Sequence, residues 1–163
     1  MQEVYITNTS SFLPNKVVKN DEIEEYMGMI NGVASRTKSL ILRNNQIKER
    51  YYAIDKAGNT THTNAEMVAN AVRSLLKQDP SLIDNLELIA CGTSSPDQLM
   101  PSHGVMVHGE LSELKPTEVV SNAGVCCSGM HALKYAYMAI KCGDKTNAIT
   151  TGSERISKLL RSE

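Results

Sequence analysis

The firmest hydrophobic pattern in the chain is helical. Met67, Val68, Ala71, Val72, Leu75 and Leu76 recur at spacings of three and four, which lines one face of a helix. Thr63 and Glu66 stand ahead of them as a capping box, so the pattern predicts a helix ending near Lys77, before Asp79-Pro80. A second helical pattern covers Ser128 to Cys142. Met130, Leu133, Tyr137 and Ile140 fall on one side, and Gly143 closes it. A third helix is expected at about Ser102–Leu111, with Pro101 in its first turn. Asn20, followed by Asp21 and Glu22, predicts the cap of a short helix to about Met27.

Between these segments the pattern changes. Leu86–Thr93 is a continuous apolar run ending at Gly92-Thr93, as expected of a buried parallel strand. Glu118–Gly124 reads as another buried strand, and Asn147–Glu154 as a further one. Gln2–Asn8 alternates loosely and is rich in β-branched residues, so it too reads as a strand. The segment 28–41 reads as a loop with a helical turn, Arg43–Ala53 as polar and then β-prone, and Asp55–Asn59 as a turn. Strands alternating with helices imply a mainly parallel sheet covered by helices. Ligands of such sheets gather at the carboxyl ends of the strands.

Composition narrows the classes. The chain has 163 residues, 41% hydrophobic and 21% charged, as in one globular domain rather than a disordered, collagenous or membrane-bundle chain. A net charge of −1 and the absence of Trp argue against nucleic acid as the main partner. No basic segment followed by an apolar run opens the chain, and no apolar run is long enough to span a bilayer, so a cytoplasmic protein is expected. Cys91, Cys126, Cys127 and Cys142 match no zinc spacing, and no metal site is expected. Adjacent cysteines rarely pair with each other, so free thiols are the default.

The chemistry concentrates in Val119–Ala136, where a strand runs into Cys126-Cys127-Ser128-Gly129 and then a helix. A cysteine in the first helical turn lies at the positive end of the dipole, beside free N–H groups, which favours thiolate. Gly129 removes a side chain beside the sulfur and is expected to admit a bulky substrate. This is the logic of a nucleophile elbow with sulfur as the attacking atom. Either Cys126 or Cys127 fits, and so does an inert buried thiol.

The chain also resembles the N-terminal half of β-ketoacyl-acyl carrier protein synthase III, a condensing enzyme of the thiolase superfamily. The matching pieces run in order along almost the whole chain: SFLPN, NDEIEEYM, RNNQIKER, SSPDQLMPS, CCSGMHAL and TTGSERIS. The resemblance implies a thiolase-like α/β fold in which residues 1–163 form the N-terminal βαβαβ half, with a mainly parallel mixed sheet covered by helices. It makes Cys127 the nucleophile, two residues before Gly129, and leaves Cys126 in the place of a small packing residue. An acyl thioester would load Cys127. A malonyl or β-ketoacyl thioester on acyl carrier protein would then condense with the acyl group, the oxyanion being held by backbone N–H groups that include that of Cys127. No cofactor is implied beyond the thioester substrates. The family's catalytic His and Asn belong to a C-terminal half that lies beyond Glu163. His131, four residues after Cys127, is a weaker candidate base and otherwise an ordinary helix residue.

The same resemblance makes Arg43 the residue that contacts the coenzyme A end of a donor, ahead of Ile47-Lys48-Glu49-Arg50. Ser39 stands where well-known members place an adenine-stacking tryptophan, which favours acyl carrier protein over acyl-coenzyme A as the donor. Arg36, Lys38, Arg43 and Lys48 would meet that carrier, or else form a solvated basic loop. Met100, beside Leu99, would cap the partner's acyl pocket across a homodimer interface, or else fill the core. MGMING with LRNNQIKERYYAID resembles a branch making dialkylresorcinol or flexirubin-type lipids. The competing expectations are a non-catalytic thiolase-like subunit, serving as dimer scaffold or carrier docking module, and a superfamily enzyme that condenses without decarboxylation. An isolated half is also expected to leave Met130, Ala132, Leu133, Ala136 and Ile140 partly bare.

Overall fold

The computed structural model describes residues 2–162, which fall into two units where the sequence reading treats the chain as one domain. The smaller comprises Leu13–Thr63 with residues 155–162. Strand β1 (Val18–Lys19) pairs antiparallel with β2 (Glu49–Arg50), Val18 opposite Arg50. Helix α1 (Ile23–Met27) forms as expected but begins later, with Glu22 at its cap. Asn20 does not cap it because its side chain is bonded elsewhere. Its Nδ2 donates to the Ile47 carbonyl at 3.0 Å, and its Oδ1 accepts from Arg50 Nη1 at 2.7 Å. Helix α2 (Lys38–Asn45) extends the helical turn expected in the 28–41 loop into the segment expected to be polar, and ends at Gln46 in the left-handed region. Lys38 bonds Glu24 at 3.0 Å, tying α2 to α1. The expected turn at Asp55–Asn59 forms, with the Asp55 carboxylate accepting the Asn59 N–H.

The larger unit comprises Asn64–Glu154 with residues 2–12. It contains α3 (Asn64–Gln78), α4 (Leu82–Asn85), β3 (Leu88–Gly92), α5 (His103–Glu110), β4 (Glu118–Asn122), α6 (Ser128–Cys142) and β5 (Ile149–Gly152). The three strands are parallel in the order β4-β3-β5. β3 is fully buried, as its apolar run requires. Its alternate residues face opposite ways. Ile89 and Cys91 pack with Val68 and Val72 of α3 and Val107 of α5; Leu88 and Ala90 pack with Ala132, Ala136 and Ala139 of α6. The sheet is therefore covered on both faces. In the smaller unit a last short helix, α7 (Ser157–Leu160), follows.

Four further expectations change. Gln2–Asn8 forms no ladder. Its described backbone makes a bond from Gln2 N–H to the Lys141 carbonyl, and Tyr5 and Ile6 are exposed. β propensity alone does not make a strand without a neighbour to bond. β4 is half-exposed rather than buried and stops at Asn122, because it lies at the sheet edge. Ser102, not a residue of the first turn, caps α5, so Pro101 precedes the helix. Finally, α6 buries its small residues while Met130, Tyr137 and Met138 are exposed and Leu133 and Ile140 half-buried. Its alanines allow close approach to the sheet; the larger residues point away.

Candidate active site

The carboxyl ends of the three strands lie side by side. Gly92 is level with Asn122 on one side and Gly152 on the other. Past β4 the chain turns through Ala123 and Gly124 into Val125, whose φ is +49°. A branched residue in this region is strained, at a cost of about 1–3 kcal/mol, and persists only where surroundings enforce it. Ser128 supplies that enforcement. Its buried Oγ accepts the Gly124 N–H at 2.9 Å and donates to the Val125 carbonyl at 2.8 Å. A short 3₁₀ turn, Val125–Cys127, follows, and Cys127 is the residue that caps α6. The sequence reading missed Ser128. Its position directly after the cysteine pair was the available signal.

Cys126 and Cys127 are both exposed. Cys126 is thus not packed inward, as expected of the residue at its position, because the 3₁₀ turn carries it to the surface. The Cys127 N–H donates to the Gly124 carbonyl at 2.9 Å, so in this turn it is already engaged. Gly129 has a packing role that the sequence reading did not supply. A Cβ there would meet Gly152 Cα at 3.3 Å, so the missing side chain lets α6 sit against β5. Gly92 is tighter still: a Cβ would lie 2.3 Å from the Ser128 carbonyl oxygen. Backbone contacts between α6 and the ends of β3 and β5 therefore set the position of the cysteine turn. The His131 ring lies against Gly124, 2.6 Å from where its Cβ would be.

A second group of polar residues surrounds the same strand ends. Asp97 accepts the Asn64 and Ala65 N–H groups, each at 2.9 Å, and so caps α3 from a distant loop. Glu154 accepts from the Ser94 N–H at 2.8 Å and from the Ser94 and Ser95 hydroxyls at 2.6 Å. Partial burial raises the Glu154 pKa, but the bonds from Ser94 and Ser95 outweigh it, and the net shift is downward. These residues lie at the strand ends where ligands of parallel sheets gather, a place legible in the sequence, but pairing residues 60 apart was not.

Cys91 is the other extreme. Burial pushes its thiol up to about 11. Native alkylation near neutral pH should therefore label Cys126, Cys127 and Cys142 and spare Cys91, which should react only after unfolding. Peptide mass spectrometry checks this; rapid native labelling of Cys91 would contradict the burial.

Arg43 lies in the smaller unit. It lines an open cavity of about 520 Å³ with Asn20, Leu42, Gln46, Ile47 and Lys48. Met100 is not core: it and Leu99 are 86% and 89% exposed. Among the described residues, no group of three or more His, Cys, Asp or Glu could hold a metal ion. No described helix is long and apolar enough to cross a membrane.

The sheet and helices define a thiolase-like α/β fold. A tetronic acid condensing enzyme superposes with a TM-score of 0.76 at 21% identity, covering 94% of this chain and 45% of that one. The 3-oxoacyl-[acyl-carrier-protein] synthase III of Aquifex aeolicus gives 0.73 at 24% identity, covering 92% and 44%. No family model matches the chain. The β-ketoacyl-[acyl-carrier-protein] synthase III of Clostridium novyi is 31% identical over 160 residues, 98% of this chain and 45% of that protein. The chain is homologous to the β-ketoacyl-acyl carrier protein synthase III condensing enzymes of the thiolase superfamily, over about their N-terminal half. It spans less than half the length of these relatives.

Proposed function

We propose that residues 1–163 are the nucleophile-bearing half of an enzyme that forms carbon–carbon bonds by decarboxylative Claisen condensation. The observation that carries this reading is the exposed Cys127 at the cap of α6, above the carboxyl ends of parallel strands, on a turn held by buried Ser128. The Cys127 sulfur attacks the carbonyl carbon of an acyl thioester. A C–S bond forms, and the carrier thiol leaves with a proton. A malonyl thioester on acyl carrier protein then loses carbon dioxide, the electron pair of the broken C–C bond passing to the α-carbon; a β-ketoacyl thioester in its place would give up an α-proton instead. That carbon attacks the acyl-cysteine, and the Cys127 thiolate is released with the new β-ketothioester. The His and Asn that assist this step belong to a C-terminal half, and the assembled enzyme is a homodimer with Leu99 and Met100 toward the partner. The lipid-like secondary-metabolite branch, of dialkylresorcinol or flexirubin type, remains part of this proposal.

A second reading is a non-catalytic thiolase-like subunit serving as dimer scaffold or carrier docking module. The engaged Cys127 N–H favours it, since an oxyanion donor must be free or freed on binding. Covalent loading separates the two: incubation with an acyl thioester adds the acyl mass to Cys127 in a condensing enzyme and leaves a scaffold thiol unmodified. The carrier is tested on the same assay. Arg43→Glu with Lys48→Glu reverses two charges at the cavity, and is expected to slow loading from acyl carrier protein by about tenfold or more at low salt, with the difference shrinking as salt rises. An equal rate from both proteins would remove this cavity from carrier binding.

A further inference from the structure

His103 begins α5 and is 3% exposed. Its Nε2 lies 3.3 Å from Ser153 Oγ, and its Nδ1 is buried with no hydrogen-bond partner. A bare imidazole lone pair is tolerated in an interior more readily than a bare N–H. The tautomer that fits is therefore neutral, with Nε2–H donating to Ser153 and Nδ1 unprotonated. We propose that His103 is a positioning residue that holds the end of β5 and the 93–97 loop together only while its imidazole is neutral.

The connections run through both neighbours of the bond. Ser153 N–H donates to the Gly92 carbonyl at 3.1 Å, and Ser153 follows Gly152, which touches Gly129 of the cysteine helix. Glu154, the next residue, holds Ser94 and Ser95 at the start of the loop that carries Leu99 and Met100. Protonation leaves Nε2–H a donor but buries a charged Nδ1–H with no acceptor, so the ring is driven from its place, and losing the His103–Ser153 bond in this way loosens both the strand end and the loop.

The charged groups facing His103 are Asp97, from the loop after β3, and Glu154, from the end of β5. β4 contributes the neutral Ser121, which accepts the Gly104 N–H and donates to Ser102. Both carboxylates are committed, Asp97 to the start of α3 and Glu154 to Ser94 and Ser95. Neither is a hydrogen-bond acceptor for Nδ1–H. Burial lowers the His103 pKa, and Asp97 and Glu154 oppose that only in part. The folded pKa therefore lies below the ordinary histidine value, and the folded state binds the proton less well than the unfolded chain. The stabilisation is fully present above the ordinary value and is lost as pH falls through the folded value.

The test uses the 163-residue chain and NMR from about pH 8 to about pH 5. The His103 ring proton reports its titration; amide exchange at Ser94 and Ser153, corrected for intrinsic pH dependence, reports the latch. Protection at both amides is expected to fall about tenfold, with the midpoint of the His103 titration. His103→Gln, which keeps a donor without titrating, should retain protection throughout. Ser153→Ala should show low protection throughout. Protection unchanged while His103 titrates, or a step that persists in His103→Gln, would overturn the proposal. Should a variant fail to fold, the unsubstituted chain decides alone. Amide exchange involves no acyl chemistry, so the latch and the proposed condensation succeed or fail separately.

Discussion

Cys127→Ala is expected to abolish acyl loading, a rate loss on the order of 10⁴-fold or more, as removal of a covalent nucleophile generally does. The neighbouring cysteine supplies the contrast. Cys126 and Cys127 share exposure, backbone turn and chemistry. Cys127 alone caps α6, so Cys126→Ala should leave loading near its original rate. Intact mass after incubation with an acyl thioester reads the yield, and fragmentation of the peptide containing both cysteines reads the position. The exposed Cys127 side chain makes a stability change within about 0.5 kcal/mol the expectation for its replacement, so loss of loading would not reflect unfolding. Loading that persists in Cys127→Ala and disappears in Cys126→Ala would move the nucleophile by one residue; loading that persists in both would end the covalent reading.

Gly92→Ala is expected to destabilise the larger unit by about 3 kcal/mol or more, beyond the ordinary cost of one extra methyl in a core. The added Cβ would sit 2.3 Å from the Ser128 carbonyl oxygen, 2.4 Å from its carbon and 2.6 Å from the Gly129 nitrogen. All three are backbone atoms, so no side chain can rotate aside. Relief requires α6 to move off β3, which also moves the Cys127 turn and breaks the Ser128 bonds that hold Val125. Melting should drop by roughly 10 °C for a chain of this size, with slower Cys127 alkylation. Gly109→Ala is the matched control. Nothing lies within 4 Å of its added Cβ, and it falls inside α5, where alanine is favoured over glycine by about 0.5–1 kcal/mol. A Gly92→Ala protein as stable as the original would mean that α6 is not seated as described.

The boundaries of α3 and α6 and the burial of β3 were legible because each is dictated by a strong local pattern. The inward face of α6 was not. Large and small apolar residues alternate around that helix, and periodicity weighs Met130 above Ala132. The sheet selects in the opposite sense, since only small side chains permit the approach that Gly92 and Gly152 allow. Asn20 shows a similar conflict. Its type and place suit a helix cap, yet bonds to Ile47 and Arg50, far along the chain, claim its side chain. Gln2–Asn8 carries the composition of a strand, but a ladder is a property of two segments. At the site, the cysteine pair was visible from strand, thiol and helix in sequence, and only the family resemblance singled out Cys127. Ser128, Asp97, His103 and Glu154 were not, because each acquires its role from a partner that local reading does not supply.

The meeting of Gly92, Gly129 and Gly152 has a consequence for how such a chain can diverge. The thiol-bearing turn is registered against main chain, whose dimensions do not vary with amino-acid type. Exchanges among Val68, Val72, Ile89 or Val107 alter how well the opposite layer fills, and so alter stability, without resetting the height of Cys127 above the strand ends. The filling of the interior and the placement of the cysteine turn are thus set by different atoms, and the placement depends on three positions that carry no side chain at all.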